Sequence, residues 1–418
     1  MIAPGSKGWL NKYLELLAKN HFNLDIPMPT GFNKKEQVHF SLLRTGVSFG
    51  VPVELLFAKG LDESKWTKTE KLKLLLFESL LFVYRQENQD KPFEKKEFKL
   101  SLLRFYQGHS SPIISKVLGL FIAETFDERL ENILASRLNV KYRLTEGKFW
   151  VNYLSNAFVY LDVILYRQFL KNKQDTLSQY SELADNALIA ISVAAFSDQV
   201  IAEKEKAMFK IFLDSASLND KQKSKAKERF KKGAQLTDFT QIVHENWLFR
   251  RFLIDIFALT VLVNQESIPE ENESFLELCA FLKVPKKEVN YAVTMIENFV
   301  LRNSEKEDLL SGASSYEKLY GNLSKRWIKI LARNKDKLAM ELKESKDLVF
   351  LITKSAKEDL SKEEKDLVKT QFKDIARSIP ALAIFLLPGG AILLPIILKI
   401  LPDLIPSAFR DNRLEDTE

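Results

Sequence analysis

The chain has 418 residues, 46% of them hydrophobic and 28% charged, which supplies enough apolar material for packed cores and excludes wholesale disorder. Glycine and proline are scarce, at 14 and 13 residues, so a many-stranded sheet with frequent turns is excluded in favour of helices. The formal net charge of +6 is too small for this length to mark a DNA-binding protein, and it is unevenly placed: residues 321–377 hold 15 Lys/Arg against 10 Asp/Glu.

Met1–Gly8 has no apolar run, so a secretory signal is not expected. Residues 7–19 have apolar positions at 10, 13, 14 and 17, which predicts a helix. Residues 38–58 are the least helical part: Val38-His39-Phe40 and Val47-Ser48-Phe49 suit a short strand, while Gly50 and Pro52 suit an irregular loop, and both readings stay open. Helical patterning then dominates, with one helix from Lys71 through Val83-Tyr84 and others over 112–137, 146–171 and 178–198. Residues 1–175 are read as an N-terminal helical domain.

The middle of the chain repeats itself. An apolar helix runs into Ser197-Asp198-Gln199-Val200-Ile201-Ala202-Glu203-Lys204-Glu205 and then Phe209-Lys210-Ile211-Phe212. A second apolar helix runs into Asn264-Gln265-Glu266-Ser267-Ile268-Pro269-Glu270 and then Phe275-Leu276. Each copy is an apolar helix, a polar turn, an isoleucine and an acidic helix start, where acids suit the helix dipole. The turn resembles that of TerB-like tellurite-resistance domains, over residues 180–302. That resemblance implies a duplicated all-helical domain with acidic turn residues that sometimes hold a metal. Asp198 and Glu205 fill the acidic places in the first copy, but Gln265 and Asn272 stand there in the second. Ordinary helix-start acids are therefore expected rather than a metal site. Cys279, the only cysteine, lies in the apolar run 275–281 and is expected to be buried, which suits a reducing compartment.

Residues 304–377 form a basic helical region. Within 325–338, helical spacing puts Lys325, Arg326, Lys329, Arg333 and Lys337 on one sector, opposite Trp327, Leu331 and Leu338. Such a face suits anionic headgroups or ribosomal RNA, or simply water over a protein core.

The strongest local signal is Ile379–Leu401, 23 residues with a single charge, Lys399. An unbroken helix of that length, at about 1.5 Å per residue, would cross a hydrocarbon core of about 30 Å. Pro388, Pro395 and Pro402 recur every seven residues and fall near one helical face, and Gly389-Gly390 offers a turning point. A kinked span and a re-entrant hairpin are both consistent with this pattern. Five cations from Lys362 to Arg377 precede the segment and only Arg410 and Arg413 follow it, which places the N-terminal body on the cytoplasmic side.

The ordered series Pro380, Phe385, Pro388, Leu393-Leu394-Pro395, Lys399, Leu401-Pro402, Pro406-Ser407-Ala408-Phe409 resembles the membrane segment of the leucine-zipper/EF-hand transmembrane (LETM) family, over residues 378–409. The layout is most similar to bacterial LETM-related biofilm-associated proteins. The resemblance implies a bacterial inner-membrane protein linked to cation/proton exchange and ribosome binding, with the bilayer, the ribosome and further copies of the chain as partners. Ala391 stands where the family pattern has a glutamate, which removes the natural intramembrane carboxylate for ion exchange. Nine residues follow Phe409, so ribosome binding is implied by the family rather than by a downstream domain in this sequence.

His21, His39, His109 and His244 are scattered, and neither a glycine-rich phosphate loop nor a nucleophile elbow occurs. The sequence therefore predicts an all-α, non-enzymatic, membrane-anchored adaptor or envelope and ion-homeostasis factor, without a cofactor. Two alternatives remain: cation/proton transport or its regulation, and a soluble helical protein whose apolar tail docks a partner.

Overall fold

The computed structural model describes residues 2–26, 33–107, 125–138, 156–172, 175–197, 201–264, 272–304, 325, 328, 331–355 and 358–378. Among these the regular structure is helical, with no strand. The whole apolar stretch from 379 to 409, including Pro380, Phe385, Pro388, Gly389, Gly390, Pro395, Lys399, Pro402, Pro406 and Phe409, lies outside the described residues. Among the described residues no helix is long and apolar enough to cross a membrane.

The N-terminal half contains α1 (Trp9–Ala18), α2 (Lys34–Thr45), α3 (Lys68–Glu87), α4 (Lys95–Gln107), α5 (Phe126–Leu138) and α6 (Tyr160–Asn172). Thr67 starts α3: Glu70 N donates to its Oγ1 at 3.2 Å, and Thr67 N donates back to Glu70 Oε2 at 2.7 Å. From Leu72 to Val83 nearly every side chain of α3 is buried, so this helix forms the axis against which α5 and α6 pack. Each fully buried Leu or Phe there contributes about 1.5–3 kcal/mol.

The stretch read as least helical divides: residues 38–45 belong to α2 and not to a strand, while residues 50–58, with Gly50 and Pro52, are irregular as in the loop reading. Asn33 and Glu36 close a capping box on α2 through bonds of 3.0 and 2.9 Å, and Val38, Phe40, Leu42 and Leu43 are buried within that helix. Gly46 ends it at φ +82°, where a Cβ would collide with the Val51 carbonyl oxygen. A short 3-10 turn, Val47–Phe49, follows. The helix expected over 146–171 is interrupted in its described part: Asn156 adopts φ +51°, a short turn spans Ala157–Val159, and α6 starts at Tyr160. Residues 112–124 and 146–155 of the expected helices lie outside the described residues.

The second half contains α7 (Tyr180–Ala195), α8 (Glu203–Ser215), α9 (Asp220–Lys232), α10 (Trp247–Asn264), α11 (Glu273–Phe281) and α12 (Lys286–Ser304). Both α7 and α10 are apolar around most of their circumference, and they pack on each other in the centre of the molecule. Further faces of α10 meet α8, α11, α12, α2 and α6, so this helix joins the two halves. Cys279 is buried on α11. Three helices close the described chain: α13 (Lys335–Lys343), α14 (Lys346–Ser355) and α15 (Lys362–Ser378), packed on one another.

Candidate functional site

The C-terminal helices are built around one apolar stripe. Leu338 and Leu342 of α13, Leu348, Leu351 and Ile352 of α14, and Val368, Phe372 and Ile375 of α15 are buried at spacings of three and four residues. Ser361 caps α15, with Glu364 N donating to its Oγ at 3.2 Å and Ser361 N donating to Glu364 Oε2 at 2.8 Å. Lys354 of α14 bridges to that same Glu364 at 2.7 Å. The hydrogen bond from Lys354 is the first cause that holds the Glu364 carboxyl below its ordinary range.

The outer surface of this unit mixes charges of both signs with apolar groups: Asp336, Glu344, Asp347, Glu358, Asp359, Glu363 and Asp366 are exposed. Lys325, Arg333, Lys337, Lys362 and Lys365 are exposed. Among the described residues, six large apolar side chains are exposed, and four of them, Ile328, Met340, Phe350 and Leu367, lie here. Cations mixed with exposed apolar groups suit the headgroup layer of an anionic membrane, where the apolar groups enter and the cations remain outside.

The expected basic sector is placed in part. Leu331 and Leu338 point inward while Lys325, Arg333 and Lys337 are exposed. Arg326, Trp327 and Lys329 lie outside the described residues. Asn334, at φ −110° and ψ 13°, interrupts the helix and starts α13, so 325–338 is not one continuous helix.

In the middle of the chain the described ends of the two polar turns meet. Asn272 Nδ2 donates to Ser197 Oγ at 3.1 Å, and Asn272 Oδ1 caps α11 by accepting from Phe275 N at 3.0 Å. Glu205 is buried and accepts from Ala202 N at 2.8 Å, the role of a helix-start acid. Asp198 and Gln265 lie outside the described residues. Among the described residues no three His, Cys, Asp or Glu side chains are gathered to hold a metal.

The sequence reading passed over α9. It carries Lys221, Lys223, Lys225, Lys227, Arg229, Lys231 and Lys232 against Asp220 and Glu228. Its apolar side is small: Ala226 and Phe230 are buried, and the Phe230 ring stacks on Phe209 at 3.9 Å. Arg229 pairs with Asp185, and Lys232 with Glu228. The other five lysines have no ion pair among the described residues. With no large apolar side chain on its exposed face, α9 offers charge alone, which suits a phosphate backbone better than insertion into a bilayer. Seven cations within 13 residues were the available signal.

Three buried polar clusters hold the body together. Asp162 accepts two bonds of 2.7 Å from Arg137 and one of 3.0 Å from Tyr106. Burial pulls the Arg137 guanidinium down, but the Asp162 charge and hydrogen bond, with the nearby Tyr180 and Tyr106, together make the net shift upward. Glu78 accepts from the backbone of Leu56, Phe57 and Ala58 and from the Tyr13 hydroxyl. His39 Nε2 lies 2.6 Å from Asp255 Oδ2, with both side chains almost completely enclosed. Burial, followed by the Asp255 charge, pushes the nearby Tyr160 hydroxyl up. Each carboxylate is engaged by internal partners, the arrangement of a structural tie.

Comparison with known families gives a match at the C-terminus: residues 360–418 match the family model described as LETM1-like, RBD. The matched stretch starts just ahead of α15 and includes the proline-spaced apolar segment. No curated protein and no solved structure matches the chain.

Proposed function

We propose that this protein is a membrane-anchored, non-enzymatic adaptor of the LETM-related type, with a helical body that contacts the ribosome. The observation that carries this reading is the LETM1-like, RBD match over residues 360–418, joined to a helical unit whose outer face exposes large apolar side chains among its charges. In this reading residues 378–409 form the anchor and residues 304–377 lie against anionic headgroups through Lys325, Arg326, Lys329, Arg333 and Lys337. The body, 1–175 with the TerB-like repeat over 180–302, stands on the cytoplasmic side, and α9 presents its lysines to ribosomal RNA. The adjacent Ser197 and Asn272 turns support a duplicated hairpin.

Membrane fractionation of the full chain and of a chain ending at residue 378 tests the anchor. The full chain should stay in membranes through a carbonate wash, and the shortened one should become soluble and remain helical by circular dichroism. Retention of the shortened chain in the washed membrane would remove the anchor assignment. Cosedimentation of the full chain in detergent with ribosomes tests the partner separately.

A further inference from the structure

Where α2, α10 and the turn between α11 and α12 meet, there is a cleft of about 540 Å³. Four cations line it, Lys34, Lys35, Arg250 and Lys283, together with the Trp247 indole and one carboxylate, Glu288. That carboxylate is already engaged: Glu288 Oε2 accepts from Arg251 Nη1 and from Trp247 Nε1, each at 3.3 Å. It is shared with the buried Arg251, which Asp255 also faces, so a single carboxylate stands against four lining cations. Lys34, Lys35 and Lys283 are exposed and have no ion pair among the described residues. Arg250 gives one N–H to the Leu282 carbonyl at 3.2 Å, while its buried Nε has no partner.

The backbone adds to this field. Lys34 is the first residue of α2, Trp247 is the first of α10, and Pro285 in the cleft wall immediately precedes α12. Three helix starts, the positive ends of their dipoles, therefore border the same space. The excess charge also reaches a neighbour. Burial, and then the Arg167, Lys35 and Lys34 charges, push the Lys171 amine down, against the upward pull of Glu87.

We infer that this cleft binds a compact phosphate-bearing anion, either a free phosphate compound or the phosphorylated headgroup of a lipid. Four cations are gathered against one carboxylate, and a multiply charged anion relieves that excess. Lysines act as point charges toward phosphate oxygens, and Arg250 adds a planar fork. The volume suits a small molecule rather than a stretch of polymer. The inference stands apart from the reading of the C-terminal segment.

The test is calorimetric titration of the full chain in detergent at low salt, with inorganic pyrophosphate, with glycerophosphoglycerol as the free headgroup, and with citrate. Variant K34A/K283A removes two cleft cations. Variant K12A/K19A removes two exposed lysines, one on α1 and one just after it, and controls for charge alone. Saturable pyrophosphate binding that falls at least about tenfold in K34A/K283A and is unchanged in K12A/K19A supports the site, since charge-assisted contacts of this kind are lost. The same dependence with glycerophosphoglycerol, and little pyrophosphate binding, supports it with the headgroup as the source. Equal losses in the two variants, no saturable binding of either phosphate compound, or citrate bound as tightly as both would overturn it.

Discussion

The Tyr13 hydroxyl donates a hydrogen bond of 2.9 Å to Glu78 Oε1, joining α1 to α3 inside the core. The same carboxylate accepts backbone N–H groups from Leu56, Phe57 and Ala58 at 2.6, 3.1 and 2.9 Å. Four donors thus converge on one buried acid, which shapes the 55–58 loop against α3. An amide in place of the carboxylate has a single acceptor oxygen and turns an NH₂ toward N–H groups. E78Q should therefore cost at least about 2 kcal/mol, as two orphaned donors imply, read as a lower urea midpoint with an unchanged m-value.

Burial raises the Glu78 pKa above its ordinary value, although the hydrogen bonds pull it back. The folded state then holds its proton to higher pH than the unfolded state. This contribution is fully present below the unfolded-state value and is lost as pH rises through the higher folded value. Urea midpoints measured upward from the ordinary carboxylate range should fall for the parent relative to E78Q. A parent whose midpoint rises relative to E78Q over that range would contradict the assignment.

His39 and Asp255 tie α2 to α10, and Asp255 Oδ1 has no donor among the described residues. D255A leaves an enclosed imidazole without its partner and should cost about 3–5 kcal/mol. H39L/D255L, which removes both polar groups, should recover much of that loss. Thermal melts of the two variants decide the point: a double variant as unstable as D255A would show that packing, not the polar pair, is at stake.

Gly46 ends α2 in the left-handed region, where a Cβ would strike the Val51 carbonyl oxygen. G46A should lower stability by more than about 1 kcal/mol, because backbone strain and the collision add. G60A serves as the comparison: that glycine also has positive φ, but open space surrounds it. Similar melting points for the two variants would remove the collision from the account.

The α9 lysines should affect binding without affecting folding. K221A/K225A/K227A should leave the melting temperature unchanged, because all three side chains are exposed. Its affinity for ribosomes should fall, and log K should depend less steeply on log salt, by about 0.7–0.9 for each phosphate contact removed. Identical salt slopes for variant and parent would dismiss α9 as a contact surface.

Periodic helices were legible, and breaks in them were less so. The apolar spacing of α1, α3 and α7 could be read directly because their buried faces repeat every three to four residues. In α2, Val38-His39-Phe40 imitates strand alternation, yet the capping signal Asn33-x-x-Glu36 was present in the sequence. The left-handed turn at Asn156 and the break at Asn334 carry no proline or glycine to announce them. The anion cleft was out of reach for a different reason. Lys34 and Lys283 come from opposite halves of the body, and only the packing of α2 against α10 and α12 brings them to one wall.

The His39–Asp255 pair also sets a timetable for synthesis. The two residues are 216 positions apart, and α2 completes its packing only when α10 arrives. At roughly 5–20 residues per second, the interval between the emergence of the two from the ribosome is roughly 10–40 s. During that interval the nascent N-terminal half must expose the α2 surface that α10 will later cover, including the imidazole of His39. Chaperone capture and proteolysis of the growing chain should therefore concentrate between the emergence of α2 and that of α10, and ease once Asp255 is clear of the exit tunnel.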